Sequence, residues 1–223
     1  MGCDIHMYAE KLVDGKWEQL KGFVSTYFDP KSDYFSKEEF KNSEHPYEGR
    51  NYTLFSVLAD VRNGSGFGGC DTGDMICPIS TPKGVPQDSC KEIKKESDDW
   101  DCDGHSHSFF TVSELLQYDW GKLIKKRGYV HLEEYKEFKK NGQPESWCGG
   151  VSGGNIEVVS NEEIESIIEQ GSSDSKSYYT KIEWSVMLKE YCSTFIDKTI
   201  PLLVERCADN KIDEVRIVFW FDN

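Results

Sequence analysis

The chain has eight cysteines but no Cys-x-x-Cys pair, so the knuckle on which zinc ribbons are built is missing. Cys70, Cys77, Cys90 and Cys102 lie close together in sequence, yet their spacings match no common zinc template. No run of residues is long and apolar enough to span a bilayer. Positive charge is scarce, with 26 basic residues against 40 acidic ones and a formal net charge of −14. A chain of that sign repels phosphate backbones, so sequence-independent binding to nucleic acid is not expected. The acids are dispersed rather than ordered in rows, which argues against a mimic of DNA. The glycine-rich run Gly64-Ser65-Gly66-Phe67-Gly68-Gly69 lacks the Lys-Ser/Thr of a P-loop and follows no clear strand. The start Met1-Gly2 has His6 where myristoylation needs Ser or Thr. Charge appears at Asp4 and the opening reads as a strand, so no secretory leader is expected; the thiols should be reduced and the compartment cytosolic.

What is present suits a folded core. At 223 residues the chain is long enough to bury a sizeable core, and with 13% aromatic residues it is too aromatic for a disordered one. No internal repeat or linker divides it, so one domain over residues 1–223 is the expectation. Residues 3–13 and 16–20 read as a β-hairpin around the turn Asp14-Gly15. A short helix is expected over residues 36–41, with Ser36 as N-cap and Glu39 as its capping-box partner, and another over residues 52–60 with Thr53 near its cap. From Arg62 the chain turns to Gly, Pro, Asp, Ser and Cys, and residues 63–104 read as one long irregular loop, a length usually reserved for functional lids or disorder. Helices follow over residues 111–118, with a Thr111/Glu114 capping box, and around residues 132–139 within a lysine-rich stretch that begins at Lys122. Residues 141–154 form a second glycine-rich loop. Then come a strand over residues 156–159, a helix over 161–170 ending at Gly171, and a flexible turn over 171–177. The spacing of Ile182, Val186, Tyr191, Phe195, Ile196, Leu202, Leu203 and Cys207 predicts one long helix or two over residues 179–209, kinked near 197–200 by Pro201. Residues 215–222 are a strand. The fold class is therefore α+β: an antiparallel or mixed sheet that includes the N-terminal hairpin and pairs the first strand with the last, packed with helices.

Three of the five histidines carry the chemical signal. In the first strand Cys3, Ile5, Met7 and Ala9 point one way and Asp4, His6, Tyr8 and Glu10 the other. That face presents a carboxylate and an imidazole two residues apart, and His105 and His107 repeat the spacing. Asp4, His6, His105 and His107 are thus candidate ligands for one divalent metal ion, zinc or manganese, with Asp4, His6 and His107 as the catalytic set for activating water. Asp103 and Asp222 are further carboxylates; Asp222 comes beside Asp4 if the terminal strands pair. The plainer reading makes the histidines hydrogen-bonded scaffold and the nearby serines caps for the next helix, with Ser108 best placed for it. Arg50-Asn51 and Arg62-Asn63 flank the helix over 52–60. Two guanidiniums there can clamp a carboxylate or phosphate, and Asn63-Gly64 can offer backbone N–H groups, so Arg50, Asn51, Arg62 and Asn63 are candidate substrate-binding residues. A surface ion pair plus a helix-ending turn is the plainer reading and the preferred one. Cys3 points away from His6 and reads as a small core residue.

In order along the chain, Met1-Gly2-Cys3-Asp4-Ile5-His6, Arg50-Asn51-Tyr52, Leu58-Ala59-Asp60-Val61-Arg62-Asn63-Gly64, Pro78-Ile79-Ser80-Thr81-Pro82-Lys83-Gly84-Val85-Pro86 and Asp103-Gly104-His105-Ser106-His107-Ser108 resemble a family of uncharacterised proteins common in tailed-bacteriophage genomes. The terminus over residues 216–222 is similar as well. Lys83 stands where that pattern has Arg, Phe109-Phe110 where it has Trp-Leu, and the segment between Gly64 and Pro78 is longer and richer in cysteine. The resemblance implies a viral protein acting in the host cytoplasm and brings no established activity. Function must therefore come from the site. Two readings follow: a metal-dependent hydrolase of a phosphorylated or nucleotide-like small molecule, and a non-enzymatic protein that sequesters a host nucleotide signal or blocks a host protein. A minor structural part of the virion is disfavoured by the number of chemically active residues.

Overall fold

The structure is a computed structural model and describes residues 2–171, 175–208 and 211–223. Strand alternation builds its first sheet. β1 (Asp4–Val13) turns at Asp14 and Gly15, both with positive φ (48° and 76°), into β2 (Lys16–Leu20). Two successive residues at positive φ match the right-handed twist of a hairpin, which is why Asp-Gly serves here. Two helices follow: α1 (Glu38–Lys41) and α2 (Tyr52–Ala59). The N-cap of α1 is Lys37, with no side-chain cap, so the box expected at Ser36 is not formed. The cap of α2 is Asn51, whose side chain accepts from the Leu54 N–H, while Thr53 lies buried inside the first turn. Both corrections shift a helix start by one or two residues, the usual scale of uncertainty at helix ends.

Within residues 63–104, expected to be irregular throughout, lies α3 (Lys91–Asp99). Only Ile93 and Ser97 of it are buried, so it carries no apolar stripe for the sequence to reveal. Then β3 (His105–Thr111) runs into α4 (Val112–Gln117) through the expected Thr111/Glu114 capping box. Ser108 is therefore a buried strand residue and not a cap. β4 (Leu123–His131) leads to α5 (Leu132–Asn141); β5 (Ile156–Val159) leads to α6 (Asn161–Gln170), which is capped by Ser160 and Glu163 and ends at Gly171. Of the turn expected over 171–177, residues 172–174 lie outside the described residues.

The long helix expected over 179–209 is instead half strand. β6 (Ser177–Met187) is followed by α7 (Leu188–Tyr191), a π-helical turn over Phe195–Thr199 and α8 (Ile200–Arg206). Ile182 and Val186 are four residues apart, a spacing that shares a face in a helix and in a strand alike. Trp184 between them decides: Thr180, Ile182, Trp184 and Val186 are all buried, a period of two. The kink expected at residues 197–200 falls on the π turn, directly before Pro201, whose missing N–H cannot complete a helical ladder.

β7 (Val215–Asp222) closes the first sheet, whose order is β2-β1-β7-β3, antiparallel throughout. β4, β6 and β5 form a second sheet, in which β4 pairs antiparallel and β5 parallel with β6. The molecule is α+β, with one more sheet than the sequence foretold. One apolar cluster joins them, from Ile5 and Met7 through Leu54 and Phe219 to Ile182 and Trp184. The opposite face of the first sheet has a smaller cluster of Tyr8, Val218 and Trp220, covered by Ile93 of α3. β7 is consequently buried along almost its whole length. Among the described residues, no helix is long and apolar enough to cross a membrane.

Candidate functional site

The register of β1 and β7 sets Asp4 opposite Asp222 and His6 opposite Trp220. Asp222 accepts the Asp4 N–H at 3.1 Å and is hydrogen-bonded to His6 Nε2 at 3.2 Å. Arg50 grips Asp4 bidentately, Nε to Oδ1 at 2.7 Å and Nη2 to Oδ2 at 2.5 Å, and that hydrogen bonding holds the Asp4 carboxyl below the usual carboxylate range. The His6 ring lies 4.0 Å from Trp100 and 6.0 Å from Trp220 between ring centres.

The two remaining histidines part company. In a regular strand His105 and His107 would share a face. Here Ser106 adopts φ 53°, and the register jumps from His105 opposite Phe221 to Ser108 opposite Phe219. This bulge turns His105 onto the Phe221 side, that of the main core, and leaves His107 stacked over Trp220 on the opposite side. His105 Nε2 accepts from the Asn223 amide at 3.0 Å, while His107 Nε2 is buried with no hydrogen-bond partner among the described residues. Burial lowers the pKa of both rings. Among the described residues, no three His, Cys, Asp or Glu side chains gather in a group that could hold a metal ion. The bulge is the physical reason the H-x-H spacing does not deliver two ligands to one point.

The arginine-asparagine pairs also separate. Asn51 caps α2 and donates to the Tyr191 carbonyl at 2.7 Å. Asn63 clasps the loop, accepting from Ile76 N–H and donating to Ile76 O, both at 2.7 Å. Arg62 donates to Asn223 at 3.0 Å in an open recess beside His105, whereas Arg50 and Asn51 line a different cavity.

That cavity is what sequence reasoning missed. It has a volume of about 340 Å³ and includes Lys126, Trp147, Tyr191, Tyr52, Arg50 and Asn51 in its walls. β4 alternates Ile124, Lys126, Gly128 and Val130 inward, and the pattern was hidden because a lysine and a glycine hold two of those four positions. Lys126 is only 9% exposed. Its Nζ donates to Thr53 Oγ1 at 3.0 Å and lies 4.8 Å from the Tyr191 ring centre and 5.9 Å from that of Trp147. No carboxylate forms an ion pair with it among the described residues. Burial pushes its pKa down to about 8, and burial pushes the thiol of neighbouring Cys192 up to about 12.

Loop segments hold the walls. The edge of β4 that does not face β6 is paired instead with Gly73, at Lys126, and with Cys148, at Tyr129. Pairing an exposed edge this way also shields it from other chains. Trp147 Nε1 donates to the Tyr191 hydroxyl at 3.1 Å. A Cβ on Gly128 would run into the Trp147 ring. Gly128→Ala should therefore displace Trp147 and cost about 1–3 kcal/mol, the usual range for overpacking, as read by urea denaturation; an unchanged midpoint would mean the ring is not pinned there.

Fold and site together define an α+β protein with a pocket whose wall carries a buried lysine that has no carboxylate partner among the described residues. No protein-family model, curated protein or solved structure matches the chain.

Proposed function

We propose that the protein binds a small anionic molecule with an aromatic ring, of the nucleotide type, in the Lys126 cavity. The observation that carries this reading is the Lys126 ammonium, buried against an open cavity without a carboxylate partner among the described residues. Burying an uncompensated charge costs free energy, and an anionic ligand supplies the missing counter-charge. Trp147, Tyr191 and Tyr52 offer ring faces, the usual apolar lining of a small-molecule site. Arg50 lies at the same cavity, already fixed by Asp4, as a second cation. The resemblance to tailed-phage proteins supports sequestration of a host nucleotide signal in the host cytoplasm as the role. A zinc- or manganese-dependent hydrolase on Asp4, His6, His105 and His107 draws less support, because the bulge at Ser106 sends His105 to the far side and His6 Nε2 is already engaged by Asp222.

The test is a thermal-shift and calorimetric titration with adenosine monophosphate and a cyclic dinucleotide. A ligand at 100 times its Kd stabilises by about 2.7 kcal/mol. The wild type should show such a shift, inorganic phosphate alone a smaller one, and Lys126→Met none. Equal shifts in wild type and variant, or none in either, overturn the proposal. Elemental mass spectrometry decides on the hydrolase: near-stoichiometric metal that His107→Ala loses would favour it instead.

A further inference from the structure

Most lysines with a described partner are exposed and paired with a carboxylate, as Lys21 is with Glu44, Lys139 with Glu165 and Lys176 with Glu157. Lys126 differs in burial, in partner and in outlook. Its partner is a hydroxyl, its neighbours are aromatic rings, and it opens onto a cavity. Its backbone is held from both sides, by Trp184 of β6 and by Gly73, so the amine is delivered to a fixed place.

From this geometry we infer that Lys126 captures carbonyl compounds: its amine condenses with the aldehyde or ketone of an anionic, ring-bearing ligand to form an imine. The inference rests on the reading of the Lys126 cavity as the ligand site. The neutral Nζ adds its lone pair to the carbonyl carbon, the C=O π pair moves to oxygen, and one proton passes from that nitrogen to the oxygen to give a neutral carbinolamine. The hydroxyl takes a second proton, the nitrogen lone pair expels it as water, and the nitrogen gives up its remaining proton, so amine and carbonyl yield imine and one water, with no oxidant or reductant involved. The Thr53 hydroxyl, 3.0 Å from Nζ, is placed to pass the proton that the departing oxygen needs. The lowered pKa adds a supply of neutral amine, which an ordinary surface lysine lacks at neutral pH. The other titratable groups facing Nζ are the Tyr191 and Cys192 side chains, both shifted upward by burial, and Arg50 lines the same cavity.

Pyridoxal 5′-phosphate is a suitable probe, being an aromatic aldehyde with a phosphate. The wild-type protein is incubated with one equivalent, reduced with borohydride, digested and mapped by mass spectrometry. The expected result is one dominant adduct on Lys126, with exposed Lys16 and Lys31 essentially unlabelled, and at least tenfold less adduct when adenosine monophosphate is present in excess. Labelling spread over surface lysines, with Lys126 no more reactive than they are, overturns the inference. The thermal shift with adenosine monophosphate on the same protein separates the two failures. A shift that depends on Lys126 without an adduct leaves the binding site standing and removes the imine. Absence of both removes both.

Discussion

Glu10→Ala should lower the free energy of unfolding by about 3–5 kcal/mol, the range for breaking a buried ion pair from one side. Glu10 is fully buried and faces Arg216 across β1 and β7. Its Oε2 accepts from Arg216 Nε at 2.8 Å, and its Oε1 accepts from Ser89 Oγ at 2.7 Å and from Cys90 N–H at 2.6 Å. One carboxylate therefore satisfies three donors and ties the 89–90 segment, at the start of α3, onto the sheet. Removing it strands a guanidinium that is 5% exposed, whose remaining company is the exposed Asp88 and the Trp17 ring at 3.8 Å. The cost should come mostly from a buried guanidinium left with the exposed Asp88 as its remaining described carboxylate, so the double variant Glu10→Leu/Arg216→Met should recover most of it. Urea denaturation of the three proteins measures this. A single-variant loss under about 1 kcal/mol would contradict the assignment, since that is the scale of an exposed pair.

Lys126→Met should do the opposite and stabilise the empty protein at pH 7. The folded-state pKa is about 8 against an ordinary 10.5, so the charged form is penalised on folding. Between those values the unfolded chain binds more protons than the folded one, and stability rises with pH across that window. Below about 8 both states carry the proton and the penalty is complete; above 10.5 neither does and it vanishes. A shift of this size is on the order of 3 kcal/mol, less about 1 for the lost hydrogen bond to Thr53. The advantage of the variant should thus be near 2 kcal/mol at pH 7 and decline toward pH 10.5, as followed by denaturation at several pH values. A wild type that is more stable than the variant at pH 7 would mean the ammonium is compensated.

Legibility in the sequence followed the strength of local pattern. The hairpin was readable because alternation and an Asp-Gly turn agree, and α4 and α6 because capping residues sit at fixed offsets. The pairing of first and last strands was readable too, but the register that sets Asp222 beside Asp4 was not, since nothing in the two strands' alternation fixes which residues face each other. β6 was misread because Ile182 and Val186 satisfy both periods, and α3 because a helix with two buried residues has no stripe. At the site, the histidine spacing was visible and its consequence was not: a single positive φ at Ser106 redirects His105, and Ser is no common signal for that conformation. Lys126 was invisible for a related reason. A charged residue at a core position reads as a surface residue until the neighbouring strand is known.

The place of β7 between β1 and β3 has a consequence for how the protein is made. As the chain leaves the ribosome, β1 and β3 emerge long before residues 215–222. Until then the edges of β1 and β3 that β7 will pair have no strand to meet their N–H and C=O groups, and Met7 and Phe110 lack their eventual neighbours on β7. The β1–β2 hairpin can pair locally, but the four-stranded sheet is completed only after synthesis of its last strand. A chain cut short before residue 215 would leave both edges open to any extended peptide, including another nascent copy of itself.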